Sequence, residues 1–167
     1  MNEFIGQQLG GVLGLARIQK ETFIKAHGAS EGIFGIDRVI QILKDTDLQI
    51  DALTKIIQIN KLDEVAFPVS EETIHHFLVM RDLYISNKWA DVVPVAEWSG
   101  FFEGIVMTRW STIRGISEKL NGIEQSIIHN DLFLLANQAS EFHYSILFDG
   151  MKYFHKIGIE KAMDKGK

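Results

Sequence analysis

Apolar residues recur at i, i+3, i+4 and i+7 through most of the chain, whereas strict alternation is hard to find. The pattern predicts helices and no sheet. A first helix runs from about Glu3 to Ala26 and stops at Gly28, a residue free to adopt a left-handed conformation. Ser30 can cap a second, from about Glu31 to Leu62, in which Thr46-x-x-Gln49 resembles a capping box and predicts a break near Asp45–Asp47. Phe67-Pro68-Val69 predicts an interruption, because proline disfavours helix at the residue before it. Ser70 then caps a third helix, whose opening Glu71-Glu72 suits the positive end of the helix dipole, and which ends near Lys88. Asp91 caps a fourth, with Pro94 in its first turn and Asn121-Gly122 as its stop. The fifth fills about Glu124 to Ile157, with a further cap signal at Asn130-Asp131 and a tail over 158–167 expected to fray.

Long helices with short connections favour antiparallel neighbours. The expected fold is therefore all-α: one domain over 1–167, an up-and-down bundle of four long helices plus one shorter helix. The last helix shows the two faces best. Leu132, Leu135, Ala139, Phe142, Ile146 and Tyr153 follow core spacing, while Gln138, Glu141, Ser145, Asp149, Lys152 and Lys156 form an opposite, solvated stripe.

Composition sharpens this picture modestly. Hydrophobic residues make up 46% of the 167, and mean hydropathy is +0.04, so the chain is apolar for a soluble one. Disorder and collagen-like structure are excluded, as is a disulfide framework, since the chain has 2 Pro and no Cys. Seventeen Lys+Arg against 22 Asp+Glu give a net charge of −5, which argues against nucleic acid as a partner. The absence of cysteine also removes thiolate chemistry and Cys-ligated zinc. No basic stretch precedes Arg17, and the charge-free run from Phe4 to Ala16 is too short to span a bilayer. A cytoplasmic location with no membrane span is the expectation.

Candidate chemistry is sparse. Gly28-Ala29-Ser30-Glu31-Gly32 fits the G-x-S-x-G string of serine hydrolases, but that chemistry needs a strand-to-helix turn, and a helix stop followed by a cap explains the same residues. Glu72 and His75 have the Glu-x-x-His spacing of a helical metal site, yet a ferritin-like centre needs a second such pair, and none occurs. They remain the candidate metal ligands, with Glu97, Glu103 or Glu21 as single further carboxylates; no other cofactor is implied. His143 falls on the core side of the last helix, beside Ala139, Ile146 and Leu147. Glu103 is the only charge between Trp98 and Thr108, and Arg109 falls on the line Trp98, Phe102, Ile105, Ile113, Ile116. Buried charges are costly unless paired, so Glu103, Arg109 and His143 are the candidate ligand-binding residues of an interhelical polar pocket.

Glycine spacing is the other unusual feature. Gly6, Gly10 and Gly14 recur every four residues, as do Gly100 and Gly104, which lets two helices approach closely, within the chain or between subunits. These features give the expected roles in order. The first is a non-enzymatic interaction or assembly module acting as a homo-oligomer. Next comes a small-molecule sensor or carrier bundle, and last a helical metalloprotein.

Overall fold

The computed structural model describes residues 3–120 and 126–164; the expected stop at Asn121-Gly122 lies outside them. Among the described residues the chain forms six helices and no strand. They are α1 (Glu3–Lys25), α2 (His27–Phe34), α3 (Ile36–Ile59), α4 (Asp63–Ile85), α5 (Val92–Leu120) and α6 (Ser126–Asp164). Five are long and one is short, which corrects the expected count of helices.

Several boundaries moved for identifiable reasons. The first helix ends at Lys25, beside the expected Ala26, but Gly28 lies inside α2, and a further turn between α2 and α3 falls at Gly35, with φ 82° and ψ 152°. That backbone region is open only to glycine. No break occurs at Asp45–Asp47: Thr46 faces the interior of an unbroken α3. Helix α3 ends close to the expected Leu62: the chain turns at Lys61, with φ 55°, where Lys61 N–H donates to the Gln58 carbonyl and Leu62 N–H to the Ile57 carbonyl. This is a Schellman closure, sealed by the buried Leu62 and Ile57 side chains. Helix α4 begins directly afterwards and contains Pro68, so Ser70 is a buried helical residue rather than a cap. Pro68 and Glu64, whose carbonyl loses its partner, are both exposed, so water can replace the missing bond. Asp91 does cap α5, accepting from Val93 N–H at 3.2 Å. Helix α6 continues to Asp164, through most of the tail expected to fray.

Helix α1 lies at the centre, with Leu9, Val12, Leu13, Leu15, Ala16 and Ile18 each at most 1% exposed. Its glycine row settles against α4 in the same chain. A Cβ on Gly10 would run into the Ala66 carbonyl, one on Gly14 would stand 2.7 Å from the Ser70 carbonyl, and one on Gly6 3.1 Å from Val65. The two helices run in the same direction, since Gly6 lies beside Leu62 and Val65 while Thr22 meets Arg81. Helix α5 runs the other way past α1, with Gln8 near Arg109 and Gln19 near Glu103. Gly100 and Gly104 have open space where a Cβ would stand, so that pair serves no intrachain crossing.

Candidate functional site

The most concentrated polar chemistry lies in the interior, where α1, α3, α5 and α6 each contribute a side chain. Glu103 is 1% exposed and His143 0%. His143 Nδ1 sits 2.7 Å from Glu103 Oε2, and Gln19 Nε2 donates to Glu103 Oε1 at 2.7 Å. An ionised Glu103 only accepts, and in that form the proton between the two groups is on His143 Nδ1. On the other side of the ring, Nε2 faces the Gln49 amide, 3.3 Å from its nitrogen and 3.4 Å from its oxygen. An amide can therefore meet either form of the imidazole, donating to a bare Nε2 or accepting from a protonated one. Thr46 Oγ1 completes the cluster, 3.1 Å from Gln19 Oε1 and 2.7 Å from the Ile42 carbonyl; its single proton serves one of them at a time.

Burying a carboxylate costs several kcal/mol unless its oxygens are occupied. Here both are. His143 carries no exposed nitrogen, and Gln49 covers the atom that a base would turn toward substrate. The arrangement ties α1, α3, α5 and α6 together, with its polar atoms turned to one another rather than to solvent.

Two kinds of space surround this cluster. A cavity of about 10 Å³, room for about one water, is bordered by Glu103, Gln19, Ser30 and Trp98. The larger space is a cleft between α3 and α6, about 300 Å³ in volume. Its walls are Leu48, Ala52, Leu135, Ala139 and Phe142, with Asp45, Gln49 and Gln138 as its polar members. A second hollow of about 270 Å³ continues it past Ala52, Leu135 and Gln138 to Ile56, Ile59 and Leu134. Gln49, 6% exposed, is shared between the cleft wall and the buried cluster.

The sequence-derived candidates therefore separate. Glu103 and His143 come together, 40 residues apart in the chain. Arg109 does not join them: it is exposed, and its Nη1 donates to Gln8 Oε1 at 3.3 Å. The buried line of α5 is Trp98, Phe102, Val106, Trp110, Ile113, so the expected line runs one residue early at positions 105 and 109 and meets it again at Ile113. Glu72 and His75 lie on the exposed side of α4, and no group of three His, Asp or Glu placed to hold a metal occurs among the described residues. Ser30 is a buried residue of α2 with no strand before it, so the nucleophile-turn geometry is absent. Arg81 went unnoticed in the sequence. It is 1% exposed, donates to Thr22 Oγ1 and Glu21 Oε1 at 3.1 Å each, and lies over the Trp89 ring. Its signal was present, since Phe77, Arg81 and Ile85 form one line on α4.

No known family, curated protein or solved structure matches the chain. No helix among the described residues is long and apolar enough to cross a membrane.

Proposed function

We propose that this protein is a non-enzymatic small-molecule-binding bundle, a sensor or carrier, whose ligand lies in the cleft between α3 and α6. The scaffold is read as an up-and-down bundle, with successive long helices alternating in direction. The observation that carries the proposal is the double role of Gln49, which lines an interhelical cleft of about 300 Å³ and hydrogen-bonds His143 behind it. Ligand sites of this size are mostly apolar, with a few convergent polar groups. The fitting ligand has an apolar body for Leu48, Leu135 and Phe142, and a polar group that hydrogen-bonds the amides of Gln49 and Gln138. Any turn of the Gln49 amide is felt at His143 and Glu103, hence at α5 and α6. A cytoplasmic setting belongs to this reading, since a chain with no cysteine suits a reducing compartment.

Native mass spectrometry of untagged protein should reveal a co-purifying mass, and thermal-shift screening with amphipathic alcohols and amides should find stabilisers. Ala52, half-buried in the cleft wall, is the place to block it. Ala52→Phe should abolish ligand-linked stabilisation while leaving the unliganded melting temperature close to wild type. Arg109→Ala should keep the shift, because Arg109 lies elsewhere. An equal shift in Ala52→Phe, or its loss only in Arg109→Ala, would overturn the reading.

A further inference from the structure

The exposed side of α6 carries an unpartnered pattern. Tyr144, Phe148 and Met151 are 54%, 43% and 49% exposed, and His155, Gly158 and Ala162 are exposed as well. Their spacing of four, three, four, three and four residues is the a/d seam of a heptad repeat. The seam lies away from the bundle core, which α6 meets through Leu132, Ala136, Ala139, His143 and Ile146. From His155 to Met163 every residue except Ile157 is exposed, so the last turns of α6 stand clear of the other helices. A helix of about ten residues is marginal in water without a packed face. Something of matching shape is expected to cover it.

The seam also tapers. Its first half offers two aromatic rings and a methionine, and its second half a histidine, a glycine and an alanine. We propose that the cover is a second copy of this chain, with the two α6 helices pairing antiparallel about a twofold axis near residue 153. One register then places Tyr144 against the partner's Ala162, Phe148 against the partner's Gly158, and Met151 against the partner's His155. The outer layers join an aromatic ring to alanine or glycine and the central ones join methionine to histidine, so no layer sets two aromatic rings or two small residues against each other. A parallel pairing would instead stack Tyr144 on the partner's Tyr144 at one end, and glycine on glycine and alanine on alanine at the other. The layers at Tyr144 and Ala162 are 18 residues apart, about 27 Å of helix. Because the free end of each α6 lies along the body of the other copy, the two bodies sit at opposite ends of the seam. Lys152 meets its own counterpart beside the axis, and Asp149, 3.6 Å away on the same helix, offsets its charge. The pairing uses neither the cleft nor the glycine row of α1.

The absence of native cysteine makes a register test clean. Tyr144→Cys and Ala162→Cys in one chain cannot join to each other across about 27 Å, because a disulfide needs Cα atoms within about 7 Å. Under mild oxidation the double variant should form a covalent dimer, and neither single variant should. Wild type should have a dimeric mass by light scattering at high concentration, and Phe148→Glu a monomeric mass with unchanged helical content. A covalent dimer from Tyr144→Cys alone would show another register. Failure of the folded double variant to cross-link, or a wild type that stays monomeric, would overturn the pairing outright.

Discussion

Two glycines of one spacing class do opposite work, and a single methyl group separates them. Gly10 stands where a Cβ would enter the Ala66 backbone of α4, so that crossing exists only because position 10 lacks a side chain. Gly104 is exposed with nothing near its missing Cβ. Gly10→Ala should therefore destabilise by about 2 kcal/mol or more through overpacking against backbone that cannot yield. Gly104→Ala should stabilise by about 0.5–1 kcal/mol, the ordinary helix preference for alanine. Urea denaturation of the two variants checks both signs, and a Gly10→Ala as stable as wild type would refute the close crossing. The same scale governs the buried pair. Glu103→Leu or His143→Phe alone strands a polar partner in the core and should cost about 3–5 kcal/mol. The double variant removes both groups and should cost clearly less than the sum. Simple additivity would mean that the two side chains do not depend on each other.

At the scale of helices and turns, the Lys61 closure is the informative case. Its geometry is the one glycine usually supplies, yet a lysine holds φ 55° there. Lys61→Gly should gain up to about 1 kcal/mol by relieving the left-handed strain, partly offset by glycine's greater freedom when unfolded. A loss of stability, read from thermal melts, would contradict the strain argument. This turn also shows what the sequence could express. The helical period was legible, and so were the Asp91 cap, the interior Glu103 and the core side of His143. The end of the second helix near Leu62 was legible too, but the form of the turn was not, because a Schellman closure with lysine at the left-handed position leaves no residue signature. Pro68 misled for the complementary reason: its local rule is real, but burial of Ala66 and Ser70 against α1 outweighs one missing hydrogen bond on the wet side. Thr46 and Gln49 read locally as a cap, whereas tertiary contact with Gln19 and His143 makes them interior residues. Arg109 and Arg81 are the clearest pair. Both interrupt apolar lines, and only the packing of neighbouring helices decides which is buried.

For the molecule as a whole, the central position of α1 and the free end of α6 set a gradient of stability along the chain. Helix α1 is enclosed on nearly every side, so its amides between Leu9 and Ile18 can open only when the other helices separate. Their exchange with solvent deuterium should follow global unfolding, the slowest opening available to the protein. The amides of α6 beyond His155 have no such cover within one copy, and in dilute protein they should exchange through local fraying, orders of magnitude faster. Pairing of two α6 seams changes only the second number at first order. As concentration rises through the dimer dissociation constant, protection should grow over 155–164 by mass action. Over the same range, α3 residues lining the cleft, such as Leu48 and Ala52, should hardly change, because the cleft and the seam lie on different sides of α6. A ligand of the cleft should do the reverse, protecting Gln49 and Ala52 and leaving 155–164 unaltered at fixed concentration. Hydrogen exchange followed by peptide mass analysis, across a dilution series and with and without a stabilising compound, separates the two events in one protein. Protection of 155–164 that is low at every concentration would remove the twofold seam and leave the cleft untouched. Strong protection there even at high dilution would mean that the last turns of α6 are packed against their own bundle.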